Sequence, residues 1–397
     1  MTSIVLVGKV FDGERVIEKG TVIIEGNKIS RVIEGIEEKG DKVIKADFIM
    51  PGLIDAHIHF FGVEEDNLLS WNIVNEIDVA IRSTRDMERL LRSGFTTVRD
   101  LGSKIAVRLD KLQRKGEIIG PTVIASGYSL AITGGNDDPK DLPIDIAQKL
   151  SYSFYCDSPY ECRKAVRMAI RQGASVIKVY SSGAFSQGGK IMPGFSLDEL
   201  KAIVEEAHRF GLRVASHAYG KEAIMTSITA GVDTVEHGLG LDEETAQLIK
   251  EKQICYIPTL ATYEIPFDSS SEAREQLIKR HFKEDMEIAV SNGLKIATGT
   301  DYVGSKRRPH GQNYREAVLL SRYMSNLEVL KASTVNAAEC LGIKSGKIRE
   351  GYNADVIAIK GDPLNNIENL SPSNILYVIK DGKLFRGYGT YQDSYLL

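Results

Sequence analysis

The feature that most constrains this chain is a long alternation, through its middle, between short apolar runs and amphipathic helical patterns. The runs are LIDAHIHF, FTTVRD, PTVIASG, SVIKVYSSG, LRVASHA, DTVEHG, CYIPT and KIATGTD. Helical patterns such as VNEIDVAIRSTRDMERLLRSG, PYECRKAVRMAIRQG and SLDELKAIVEEAHRFG separate them, and several end in Gly, the residue a left-handed helix C-cap prefers. Eight strand–helix units in succession predict an α/β fold with a parallel (β/α)₈ barrel, since parallel strands need crossovers and eight strands suffice to close the sheet. A doubly wound open sheet is the alternative. Against it, no glycine-rich phosphate loop follows the first run, and polar residues fall at many strand ends.

The two ends of the chain read differently. SIVLVGKVFDG, TVIIEGNKISRVI and KVIKADFIMPG open it, and GKIREGYNADVIAIKGD and NILYVIKDGKLFRG close it, all short β-like runs broken at Gly and Asn. Two β-rich ends around a different middle predict one small β-sandwich domain built from residues 1–52 and 345–397. The barrel would take 53–344, and 397 residues accommodate a barrel of about 250 with that second unit.

With 43% apolar and 26% charged residues, the composition is that of a globular protein. A formal net charge of -4 gives no broad positive field for nucleic acid or anionic lipid, and no apolar stretch is long enough to span a membrane. The opening MTSIVLVGKVFDGERV lacks the apolar run of a signal peptide, so a cytoplasmic location is expected. Cys156, Cys162, Cys255 and Cys340 lack CxxC spacing, so neither a zinc finger nor a disulfide framework is expected. A homo-oligomer is compatible with all of this.

In a (β/α)₈ barrel the reactive groups sit at the C-terminal ends of the strands. Those ends carry His57 and His59, then Asp100, Lys178, His217, His237 and Asp301, so four of the seven histidines fall there. His57 and His59 are two apart on a strand and share a face. A pair of imidazoles can be satisfied in a core, but joined to His217, His237 and Asp301 they form a metal-ligand set. Asp301 could both bind metal and accept the proton of an attacking water. Lys178 lies in a buried-looking strand, where an ammonium must pair, snorkel or lose its proton.

Taken together, these residues resemble the binuclear amidohydrolases. PGLIDAHIHF is similar to that superfamily's first-strand motif, and NADVIAIKGDPL to the return of the chain into the terminal sheet. The resemblance implies that Lys178 is carboxylated by CO₂ and that its carbamate bridges two divalent metal ions. His57, His59 and Asp301 would hold one ion, His217 and His237 the other, with a hydroxide between them. Zinc is the expected metal, and the same donors suit Mn²⁺, Co²⁺ or Fe²⁺.

SVIKVYSSG, SHAYG, TVEHG and ATGTD resemble the branch of Xaa-Pro dipeptidases, carboxypeptidases and N-acyl amino-acid hydrolases. The implied substrate is a dipeptide or N-acyl amino acid. Alternatives are a cyclic amide, a lactone, a deamination, or a scaffold that has lost catalysis. The deaminases carry a glutamate where this chain has Gly220. Members of the branch often carry a histidine after the third strand, and here the segment reads Ile132-Thr133-Gly134-Gly135-Asn136-Asp137. Asn136 would replace that histidine as a neutral donor, or serve as a turn residue tolerant of left-handed backbone. Tyr219, two after His217, is a candidate donor to substrate or oxyanion, or a packed core tyrosine. Asp100 reads as structural, paired with Arg99 or a loop, and Trp71 as a wall or cover of the pocket. Lys306, Arg307 and Arg308 form either a solvated loop or, for Arg307 and Arg308, a holder of substrate carboxylate.

Overall fold

The computed structural model describes residues 3–185, 190–266 and 271–390. The chain opens with β1 (Ser3–Phe11), β2 (Val16–Glu25), β3 (Lys28–Glu34) and β4 (Lys42–Pro51). Strands then alternate with helices: β5 (Leu53–Ile58), β6 (Phe95–Asp100), β7 (Thr122–Ala125), the short β8 (Ser129–Ala131) and β9 (Ser153–Tyr155), and β10 (Ile177–Tyr180). A hairpin, β11 (Ser182–Phe185) and β12 (Ile191–Pro193), precedes β13 (Val214–Tyr219), β14 (Thr234–Leu239) and β15 (Cys255–Ile257). The chain ends in β16 (Val356–Ile359), β17 (Ile375–Lys380) and β18 (Lys383–Arg386).

Both ends meet in one seven-stranded sheet of order β18-β17-β16-β4-β1-β2-β3, in which β1 and β4 are parallel and every other pair is antiparallel. The β4–β16 pairing, Met50 against Ile357, joins the two ends of the sequence. An apolar cluster of Leu6, Val10, Val22, Ile24, Ile29, Ile44 and Ile49 with Ile348, Val356, Ala358 and Ile379 fixes that pairing. In hydrogen-bonding terms the expected sandwich is a single sheet, curled until Ile29 N donates to Tyr352 O and Ala354 N to Asn27 O. Residues 391–397 of that expected domain lie outside the described residues.

The middle of the chain carries two parallel sheets, β5-β6-β7 and β15-β14-β13-β10-β8-β9. Backbone hydrogen bonds continue across both gaps between them. Ser175 N donates to Ala125 O at 2.8 Å, linking β7 to the approach of β10. Residues 296–302 lie between β15 and β5, with Ala297 N bonded to Tyr256 O, Ala56 N to Thr298 O and His59 N to Tyr302 O. This eighth segment forms only isolated bridges, at Ile296 and Tyr302. Gly299 explains part of that: a Cβ there would lie 2.9 Å from the His57 Cβ, so the chain passes β5 too closely for any side chain.

Helices lie between the strands and bury one face each, as in Glu76–Arg92, where Val79, Ser83, Met87, Leu90 and Leu91 face inward. Gly173, Gly231 and Gly342 cap helix ends in the left-handed conformation. Among the described residues no helix is long and apolar enough to cross a membrane.

The cysteines correct the sequence expectation. Cys156 pairs with Cys162 and Cys255 with Cys340, at Cα separations of 5.1 and 5.7 Å. Sequence spacing hid both. One closes a short loop after β9, and the other ties β15 to the helix Val335–Leu341, 85 residues away. Two disulfides sit poorly with a reducing cytoplasm, hyperthermophile proteins being the known exception.

Candidate metal centre

The end of β5 delivers His57 and His59, both buried, and residues after Gly299 deliver Asp301. Asp301 has φ 56°, and its N–H and that of Thr300 both donate to His57 O, at 2.7 and 3.1 Å. This left-handed turn aims the Asp301 carboxylate at the histidines: Oδ1 lies 3.1 Å from His59 Nε2 and 3.3 Å from His57 Nε2. One ligand atom from each of the three residues fits within 4.8 Å of the others. Burial pushes the Asp301 carboxyl up, but the His59 bond and the neighbouring positive charges outweigh it and hold the group below the usual carboxylate range. Asp55 braces the turn from below, accepting from Thr300 Oγ1 and Asn313 Nδ2, each at 2.7 Å. Burial pushes its own carboxyl up to about 6.

His217 and His237 arrive from β13 and β14, with ring centroids 4.7 Å apart. His237 also lies 5.0 Å from His57, so the four imidazoles form one continuous group. Lys178 comes from β10, two positions before Tyr180, which is in register with His217. It is 1% exposed and makes no ion pair among the described residues, and its ammonium lies 5.1 Å from the Tyr180 ring centroid. Burial depresses its pKa, against the pull of Glu236 and Asp301. After burial, the charge on Lys178 is the chief cause that depresses His57 and His217.

The hydrogen bonds fix which way the imidazoles present their lone pairs. His59 Nδ1 meets Gly102 O at 2.9 Å and His57 Nδ1 meets Glu236 Oε2 at 2.7 Å, so in neutral rings both Nδ1 atoms donate and both Nε2 atoms are left as acceptors. His57 Nε2 and His217 Nε2 are buried without a hydrogen-bond donor. Several inward-facing lone pairs, a carboxylate and a depressed lysine are costly to bury together and are the donor set a divalent cation satisfies. The residues fit a metal centre.

Several residues that complete this arrangement escaped sequence reading. Glu236, fully buried, accepts from Arg99 Nη2 at 2.7 Å through one oxygen and holds His57 through the other. Strand alternation would turn Glu236 away from the face of His237. It does not, because His237 is left-handed at φ 65° and the pairing with β13 slips one residue at that point. Gly238 follows with φ 63°, and a Cβ there would collide with the Tyr256 ring. Thr259, also left-handed at φ 52°, meets His237 Nδ1 at 2.7 Å. Non-glycine residues in this region signal strain held by their surroundings, and three of the five in the described residues sit here.

Other expectations fare unevenly. Asp100 does not pair with Arg99; it accepts from Phe60 N, Gly102 N and Ser103 Oγ, a loop-shaping role. Tyr219 lies beside the cluster, its ring 4.2 Å from His217, and its hydroxyl is 2.8 Å from that of Tyr263. Asn136 is half-buried and does not use left-handed backbone, while Gly134 in the same turn does. Its neighbour Asp137 is the anchor, accepting from Ser129 and Ser153. Trp71 stacks on Phe61, which stacks on His59, so it forms part of a wall.

Arg308 is engaged within the protein. It is 1% exposed, its guanidinium pairs with Asp66, and it also donates to the carbonyls of Thr262 and Ile265. It ties its own loop to Asp66 and to the segment Thr262–Ile265. Lys306 pairs with Glu64 at 2.7 Å, and Arg307 donates to Pro266 O. The acidic segment Glu64-Glu65-Asp66 is what the basic loop meets, a complementarity across more than 200 residues of sequence that spacing cannot reveal.

Comparison with known proteins agrees with this geometry. Residues 48–385 match the Amidohydrolase family. Ochratoxinase of Aspergillus niger is 35% identical over 374 residues, covering 86% of this chain and 76% of its own. The ochratoxinase crystal structure superposes with a TM-score of 0.88 at 31% identity, over 97% of this chain and 96% of its own. A Xaa-Pro dipeptidase with methionine in its active site gives 0.85 at 31%, and a prolidase complexed with N-methylphosphonate-L-proline 0.87 at 30%. Both cover 97% of this chain and 100% of their own. The α/β fold is thus of the TIM-barrel type, and the family is one that uses metal ions. The chain belongs to the amidohydrolase family and is a hydrolase acting on carbon–nitrogen bonds.

Proposed function

We propose that the chain hydrolyses the amide of a dipeptide or N-acyl amino acid at a binuclear metal centre. In this reading the ring of β5, β6, β7, β10, β13, β14, β15 and residues 296–302 is a closed (β/α)₈ barrel, and the terminal sheet is a separate small domain. The observation that carries the function is the convergence of His57, His59, His217, His237 and Asp301 around a buried Lys178 that has no ion-pair partner among the described residues. His57, His59 and Asp301 would hold one ion and His217 and His237 the other. Carboxylation of Lys178 would turn a repelling ammonium into a bridging anion. Bound there, divalent ions, zinc in the first instance, supply Lewis acidity toward an amide carbonyl and a water.

The protein's own groups do the rest. Asp301, held anionic and aimed by its left-handed turn, takes the proton of the attacking water and returns it to the leaving nitrogen. Glu236 and Arg99 keep His57 in one tautomer and orientation. Tyr219 donates to the carbonyl oxygen as charge develops on it, with Asn136 as a second donor from the loop after β8. Arg307 and Arg308 of the basic loop would hold a substrate carboxylate, on a loop anchored by the Arg307 bond to Pro266 O and the Arg308 pair with Asp66.

The substrate class is supported by the relatives, an ochratoxinase, a Xaa-Pro dipeptidase and a prolidase. Purified protein loaded with zinc should hydrolyse members of a panel of N-acyl amino acids and dipeptides, and His217→Ala should not. A panel with no turnover by metal-loaded protein, or turnover that survives His217→Ala, would contradict the proposal.

A further inference from the structure

Tyr263 sits in the short helix Leu260–Glu264, which begins directly after the left-handed Thr259 that holds His237. Its side chain is 5% exposed and packs with Leu239, Ile278 and Tyr219. Its ring stands edge-on to His237 at 6.1 Å and to His281 at 5.8 Å on the other side, and His281 is fixed through Nε2 to Pro258 O at 2.9 Å. The Tyr263 hydroxyl therefore has little freedom, and it lies 2.8 Å from the hydroxyl of Tyr219.

A phenol has one proton to give and lone pairs to receive. Between two phenols 2.8 Å apart, one donates and the other accepts. If Tyr219 donated to Tyr263, its proton would be spent inside the protein wall. If Tyr263 donates, the Tyr219 proton is not spent on Tyr263, and the Tyr219 ring lies beside the cluster, its centroid 4.2 Å from that of His217 and 5.4 Å from that of His237. A phenol that accepts one hydrogen bond is also a stronger donor of the next, because the two bonds polarise each other.

We propose that Tyr263 is a positioning residue for the reaction: it donates to the Tyr219 hydroxyl and thereby directs the Tyr219 proton at the carbonyl oxygen of the substrate. The inference rests on the role given to Tyr219 above. It assigns Tyr263 no contact with substrate.

Three variants test it: Tyr219→Phe, Tyr263→Phe and the double variant, each checked for unchanged metal content and circular dichroism. Removing one aligned hydrogen bond is worth roughly tenfold. Tyr263→Phe should lower kcat by about that factor while KM moves less than about twofold, since the contact matters as charge develops. The double variant should be no slower than Tyr219→Phe, because Tyr263 acts only through Tyr219. Losses that multiply in the double variant, or a full kcat in Tyr263→Phe beside a slow Tyr219→Phe, would overturn the role of Tyr263 alone. A full kcat in Tyr219→Phe would instead remove the donor role of Tyr219, and this inference with it.

Discussion

In the terminal sheet, Leu6, Val10, Val22, Val356 and Ala358 are fully buried in one apolar cluster. At the mouth of the central sheets, His57, Arg99, Lys178 and Glu236 are just as buried, none more than 1% exposed. Equal burial has opposite energetic meaning in the two places. Each large apolar side chain removed from water stabilises by about 1.5–3 kcal/mol. Burying a charged or polar group costs several kcal/mol unless it is paired or bonded. The mouth adds backbone strain at His237, Thr259 and Asp301, whereas the left-handed non-glycine residue of the terminal sheet, Asp381, lies in a turn. The first region contributes stability; the second uses it to hold an arrangement that water would otherwise dissolve.

The sharpest way to break this comparison is Lys178→Met, which removes a buried ammonium with no ion-pair partner among the described residues and leaves an apolar chain of similar length. Stability to denaturant should hold or rise. Hydrolysis should fall by more than about 100-fold, beyond the 10–100-fold typical of residues one layer outside a metal. A variant that hydrolyses normally would show that Lys178 belongs with the apolar scaffold.

Removing the Cys255–Cys340 disulfide by paired alanines should lower the unfolding free energy by about 4.5 kcal/mol, judged by the length of the loop it closes. Metal content should stay unchanged. In the terminal sheet, Leu6→Ala should cost about 2–5 kcal/mol in urea unfolding, with kcat of the folded fraction unaltered. A kcat that falls in step with stability would mean that the two regions are coupled. The smallest effect is expected for Glu236→Gln, which weakens the Arg99 bond and loosens His57: metal affinity or activity should drop about 10–100-fold, measured by chelator competition.

What the sequence makes legible follows the same division. Period-two runs at both ends are enough to bring β4 and β16 into one sheet, since only apolar faces have to match. At the mouth, HxH spacing and the run-end positions of His217, His237 and Asp301 are readable because each residue closes its own apolar run, although left-handed backbone at His237 and Asp301 sets their final aim. Glu236 and Thr259 are not, since their roles depend on left-handed backbone that breaks strand alternation. The pairing of Arg308 with Asp66 is not readable either, because that partner lies across the fold. The disulfides are hidden for the same reason, and Tyr263 because its meaning lies in one hydroxyl contact with Tyr219.

The central claim is that the buried polar group at the mouth is a two-metal site, and elemental analysis of reconstituted protein tests it most directly. The account predicts about two equivalents of divalent metal per chain, with His217→Ala falling toward one while circular dichroism stays that of the parent. A parent protein that saturates at one equivalent, or a His217→Ala variant that keeps the full complement, would contradict it.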